Sequence, residues 1–72
     1  MKELIEYIAK GLVDHPDQVR VTEQVSGRSV VVRLKVAQAD MGRVIGKDGR
    51  VANAMRTLLR VTSARDVDLR IG

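Results

Sequence analysis

The residues with the chemistry to hold a ligand are Gly46-Lys47-Asp48-Gly49-Arg50, two glycines three positions apart with a charged pair between them and an arginine after. Glycine has no Cβ, so such a loop lets a ligand approach the main chain itself. Its N–H groups lie beside the positive end of the helix that follows, an arrangement suited to phosphate. Taken alone, the pair reads better as a helix C-cap followed by a structural turn, since glycine past a helix end is common. The placement of charge and the order of elements favour a nucleic-acid backbone. Asp48 has two opposed parts. It puts a negative charge where phosphate would lie, and it is placed to cap the orphan N–H groups of the next helix.

Charge is concentrated around this loop. Residues 41–60 hold Arg43, Lys47, Arg50, Arg56 and Arg60 against Asp48 alone. Residues 1–40 balance six bases with six acids, and residues 61–72 balance Arg65 and Arg70 with Asp66 and Asp68. The whole net charge of +4 therefore falls in one stretch of the chain. A localised basic patch is the electrostatic footprint of a polyanion site.

Other chemistries find little support. There is no cysteine, hence no disulfide, thiol nucleophile or Cys-based zinc site. The single histidine, His15, has no second ligand at metal spacing and reads as a loop residue. No Ser-His-Asp set or carboxylate pair forms a recognisable catalytic motif, and the glycine spacing is not that of a nucleotide-hydrolase loop. The expectation is a protein that is not an enzyme, with no catalytic residue, metal or cofactor. No apolar run approaches the ~20 residues of a membrane span. Acids at Glu3 and Glu6 stand where a secretory signal would be apolar, so a cytoplasmic location is expected. Tyr7 is the one aromatic residue. Base stacking on aromatics contributes about 1–3 kcal/mol per base. Without it, binding leans on phosphates and sequence preference is weak.

The 72 residues make one small domain, spanning 1–72. Leu4, Ile5, Ile8, Ala9, Leu12 and Val13 share one arc of a helix over 2–13, which Pro16 ends near Asp14. Tyr7 falls at the edge of that arc and should pack beside the core. Val19, Val21 and Val25 alternate with polar residues over 18–25, and Val30, Val32, Leu34 and Val36 alternate with Val31, Arg33 and Lys35 over 28–36, leaving Val31 the one large apolar side chain on the open face. Ser26-Gly27 between them predicts a hairpin. Glu23 on the inward face implies an edge strand or a bulge. Asp40 is placed to cap a short helix at 41–45. A longer helix over 50–62 turns Val51, Ala54, Met55, Leu58, Leu59 and Val61 inward. Residues 62–66 read as a turn, and Val67, Leu69 and Ile71 alternate in a last strand. The order is α-β-β-α-α-β, an α+β fold. A right-handed crossover sets the second and third strands parallel, in a three-stranded mixed sheet with all helices on one face.

With Val44-Ile45 before Gly46-Lys47-Asp48-Gly49 and helices on both sides, the chain resembles a KH domain of the type II arrangement. The run Asp40–Arg50, the following Ala54–Leu59 and the length resemble the small bacterial KH proteins of the KhpA family. The resemblance implies a groove for about four nucleotides of single-stranded RNA. Gly46, Lys47, Asp48 and Gly49 would then form the backbone clamp, Val44 and Ile45 the apolar floor, and Arg43 and Arg50 the rim. It implies a short variable loop at 62–66. It further implies an RNA chaperone or post-transcriptional regulator, a homodimer or a heterodimer with a larger KH-containing protein of the KhpB type, and a link to cell elongation and envelope growth. No membrane or small-molecule substrate is implied. The contrasting expectation is an assembly subunit whose KH fold no longer contacts RNA.

Overall fold

Alternation of apolar residues builds the sheet that the rest of the chain packs on. The structure is a computed structural model that describes residues 2–63 and 66–72. It runs α1 (Lys2–Leu12), β1 (Arg20–Ser26), β2 (Ser29–Lys35), α2 (Met41–Ile45), α3 (Arg50–Thr62) and β3 (Asp66–Ile71), with single 3-10 turns at Pro16–Gln18, Gln38–Asp40 and Lys47–Gly49. The three strands lie in the order β1-β2-β3, with β1 antiparallel to β2 and β2 parallel to β3. This is the expected α-β-β-α-α-β order and mixed sheet. The expected turn and variable loop at 62–66 include residues 64 and 65, which lie outside the described residues.

One face of the sheet carries the core. Val21 of β1, Val30, Val32 and Leu34 of β2 and Leu69 of β3 are buried beneath Ile5 and Ala9 of α1, Val44 of α2, and Met55 and Leu59 of α3. The opposite face of the sheet carries the polar alternates. The hairpin turns at Gly27-Arg28, one residue later than the spacing suggested, because Ser26 pairs with Ser29. Gly27 has φ 58° and Arg28 does not share the positive φ, as a II′ turn requires.

Several inward assignments are corrected. Val25 is 51% exposed, since the hairpin tip runs past the helices that cover the rest of the strand. Glu23 is exposed on the edge strand, and the β1–β2 register is unbroken from Arg20 to Ser26, so no bulge is needed. Tyr7 is 80% exposed rather than packed beside the core. On α3 the buried residues are Ala52, Met55 and Leu59. Ala54 is exposed, with Leu58 40% and Val61 74% exposed, because the helix presents a narrower arc to the sheet than its apolar content covers.

Asp40 is corrected most. It stands at the N-cap of α2 but makes no capping hydrogen bond there. Its carboxylate, 1% exposed, instead accepts from Asp14 N (3.2 Å), His15 N (3.1 Å) and the His15 ring Nδ1 (3.0 Å). It thus ties the chain leaving α1 to the start of α2. Burial pushes the Asp40 carboxyl up. The His15 ring, the two N–H groups and the His15 charge outweigh that and hold it below the usual carboxylate range.

Candidate nucleic-acid interface

The loop between α2 and α3 is built on three positive-φ residues, Gly46, Asp48 and Gly49. Gly46 closes α2 by donating its N–H to Gly42 O at 2.8 Å, and then adopts φ 76°, ψ 171°. Asp48 (φ 57°, ψ 25°) and Gly49 (φ 76°, ψ 15°) are both left-handed. Asp tolerates this region better than most residues with a Cβ, because its short polar side chain hydrogen-bonds locally. The turn is closed by Gly49 N donating to Gly46 O at 3.1 Å and by Arg50 N donating to Lys47 O. No side chain caps the start of α3. The first N–H groups of a helix have no partner within it, so donors and positive dipole face one small region.

The two glycines do different jobs. A Cβ at Gly46 would stand 2.5 Å from Val51 Cγ2 and 2.8 Å from Val51 N. Gly46 is therefore where α2 and α3 touch backbone to backbone. A Cβ at Gly49 would meet only Asn53 Nδ2, at 3.8 Å, and otherwise open space. Gly49 is thus the glycine that faces outward.

Around the loop, Lys47 and Arg50 are exposed and enter no ion pair or side-chain hydrogen bond among the described residues. Arg43 pairs with Asp14 (3.2 Å) with both side chains more than half exposed, an interaction of about 0–1 kcal/mol that a stronger anion can displace. Arg56 is half-buried and committed: it donates to Leu69 O through Nε (3.4 Å) and Nη2 (3.3 Å) and to Asn53 Oδ1 through Nη1 (3.0 Å). Arg60 lies ten residues beyond Arg50, about 15 Å along the helix. The five bases of the patch therefore do not converge; those at the loop are Arg43, Lys47 and Arg50.

Two sequence assignments change. Val44 is fully buried in the core and presents no surface, while Ile45 is 37% exposed and is the apolar group beside the loop. Asp48 makes no capping hydrogen bond, because its left-handed backbone and the Gly49 turn separate it from the α3 N–H groups. His15, read as a plain loop residue, turns out to be a partner of Asp40. Its separation of 25 residues left no local signal.

Among the described residues no group of His, Cys, Asp and Glu could hold a metal ion. No helix of the described chain is long and apolar enough to cross a membrane. A family model described as KhpA/KhpB, KH domain, matches residues 2–71. The chain is 50% identical over 66 residues to the RNA-binding protein KhpA of Clostridium acetobutylicum, covering 92% of this chain and 88% of that protein. To the RNA-binding protein KhpA of Listeria monocytogenes it is 49% identical over 72 residues, covering 99% and 95%. To that of Aquifex aeolicus it is 51% identical over 59 residues, covering 82% and 75%. No solved structure matches the chain. A match over nearly the whole chain, on a fold with the expected order and loop, places this protein in the KhpA/KhpB KH-domain family, which is not an enzyme family.

Proposed function

We propose that this chain, acting over 1–72 as one KH domain, binds single-stranded RNA by its sugar–phosphate backbone with low sequence specificity. The observation that carries this is Gly49: a left-handed glycine whose missing Cβ would meet only Asn53 Nδ2, beside exposed Lys47 and Arg50 side chains that make no ion pair among the described residues. Gly46, Lys47, Asp48 and Gly49 form the clamp, Arg43 and Arg50 its rim, and Ile45 the apolar contact beneath a base. Val44 supports Ile45 from within the core. The relatives named RNA-binding protein support the same reading. Such a grip suits an RNA chaperone or post-transcriptional regulator in the cytoplasm that acts with a larger KH-containing protein, with cell elongation and envelope growth as the physiological setting.

The test is anisotropy of a labelled single-stranded oligoribonucleotide with wild type and Gly49→Asp, beside circular dichroism. Aspartate is among the residues that accept Gly49's left-handed backbone, so the variant stays folded and loses binding. A folded Gly49→Asp that binds as wild type removes the loop from the site.

A second reading is favoured by the exposed stripe of Ala54, Leu58 and Val61 on α3. That face suits a second copy of the chain, and sedimentation of wild type against Val61→Asp tests it. A monomer at high micromolar concentration in both removes self-association through this face.

A further inference from the structure

The charge balance of residues 1–40 hides a spatial imbalance. On the face of the sheet turned away from the helices, the register places Arg20 beside Lys35. In the next row it places Thr22, Arg33 and Arg70 side by side. The acids Asp66 and Asp68 lie toward the opposite end of the same face, against Ser29 and Val31. One end of the sheet therefore carries four cations around a shallow recess of about 370 Å³ that Thr22 and Gly72 also line. Their neutralisation is slight. Arg70 Nε meets Asp68 Oδ2 at 3.2 Å, and Arg20 Nη1 donates to the carbonyls of Asp17 and Val19, both at 2.9 Å. Arg33 and Lys35 are exposed and make no ion pair among the described residues.

Like charges directly opposite one another on a sheet are destabilising. Here two such pairs adjoin, and an anion bridging the rows relieves both. We infer that this end of the open sheet face is a second nucleic-acid surface, which takes the phosphates of an RNA segment beyond the one held at the Gly46–Gly49 loop. Interstrand spacing of about 4.8 Å and an i, i+2 rise of about 6.6 Å set the cations in a grid that follows a chain of phosphates. A protein partner suits the surface poorly. Interface cores are built around aromatic and apolar side chains, whereas this face carries no aromatic residue and its one apolar side chain, Val31, sits at the acidic end. The molecule measures 34 × 23 × 17 Å, so one strand reaches from the loop to this face within several nucleotides. Two phosphate-binding faces let the protein hold two segments at once.

The inference rests on the RNA-binding reading, and the experiment separates the two. Wild type, Gly49→Asp and the double variant R33Q/K35Q are titrated with a tetranucleotide and with an RNA several times longer, over a range of salt. Both substituted side chains are exposed, so the fold is retained. With R33Q/K35Q, tetranucleotide affinity changes less than about twofold. Long-strand affinity falls about fivefold or more, and its log–log salt slope becomes shallower by about 1, as expected when one to two phosphate contacts are lost. Equal slope and affinity for the long strand in wild type and R33Q/K35Q overturn the second surface and leave the loop intact. Loss of binding to anionic phosphatidylglycerol vesicles, with long-strand binding unchanged, overturns it in favour of lipid. If Gly49→Asp keeps tetranucleotide binding, the loop site fails while the sheet face is judged on the long strand alone.

Discussion

Alanine at Gly46 and alanine at Gly49 should have very different consequences, although the two glycines share φ 76°. At Gly49 the new methyl group has only Asn53 Nδ2 near it, at 3.8 Å, so the cost is the left-handed backbone, about 1–2 kcal/mol. At Gly46 the combination of φ 76° and ψ 171° is available essentially to glycine alone, and an alanine there costs about 1–3 kcal/mol. The methyl group also drives into Val51 Cγ2 and Val51 N, and relieving such overpacking typically costs about 1–3 kcal/mol more. A chain of this length has roughly 4–11 kcal/mol to lose. At about 4–8 °C per kcal/mol, Gly49→Ala melts about 5–15 °C lower with a cooperative transition. Gly46→Ala falls at least twice as far or shows no transition at all. Thermal melts followed by circular dichroism read this directly. Adding Val51→Ala to Gly46→Ala recovers only part of the loss, since the 2.8 Å approach to Val51 N remains. Equal melting temperatures for the two single variants would refute the division of labour between the glycines, and complete recovery in the double variant would refute the backbone contact.

Asp48→Asn keeps a residue type that tolerates the left-handed region and removes a charge; a carboxylate ~7 Å from a phosphate repels it by ~0.6 kcal/mol in water. Single-stranded RNA should therefore bind about 2–3-fold more tightly at low salt, less so as salt rises, with melting unchanged; weaker binding in anisotropy would show that the carboxylate orders the loop for RNA. Arg56→Gln should lose about 1 kcal/mol of stability with its hydrogen bonds to Leu69 O, and leave short-RNA affinity within about twofold. Lys47→Gln should do the reverse, keeping stability and making the salt slope shallower by ~0.7, and the opposite pattern in melts and titrations would reassign both residues. Asp40 is held below its ordinary value, so its stabilisation is complete above the unfolded aspartate pKa of about 3.9 and disappears as pH falls through the lower folded one. Asp40→Asn should melt lower at neutral pH and lose part of the acid limb of the melting profile; an acid limb identical to wild type would exclude the Asp40–His15 joint as its source.

The elements and their order were legible because β2 alternates cleanly and α3 has a strong two-sided pattern, and these two leave few ways to close the sheet. The glycine loop was legible as a unit, but not the separate tasks of its glycines. The contact of Gly46 with Val51 depends on how α2 and α3 cross, which no local spacing records. The same applies to α3, where the sheet accepts Met55 and Leu59 but is too narrow to cover Leu58 and Val61. Counting charge along the chain found the cations at the loop. It missed those on the sheet, because Arg20, Arg33, Lys35 and Arg70 meet only through register, while acids elsewhere in the sequence cancel them in the sum. Asp40 was read as the helix cap its position suggested. Two N–H groups and an imidazole from 25–26 residues away were better donors than the helix it precedes.

The hold of Arg56 on Leu69 has a consequence for how copies of this protein avoid one another. β3 pairs with β2 on one side only, so the main-chain groups of Val67, Leu69 and Ile71 face outward along an open strand edge. An edge of this kind is a template on which another chain can add a strand and seed aggregates. The guanidinium of Arg56 reaches down from α3 onto the Leu69 carbonyl in the middle of that row. It occupies the central acceptor and sets a positive charge where an incoming strand would have to lie. The arginine that the charge pattern first assigned to ligand binding thus works as a guard on the sheet, and the cost of losing it would be read in turbidity and solubility as well as in melting.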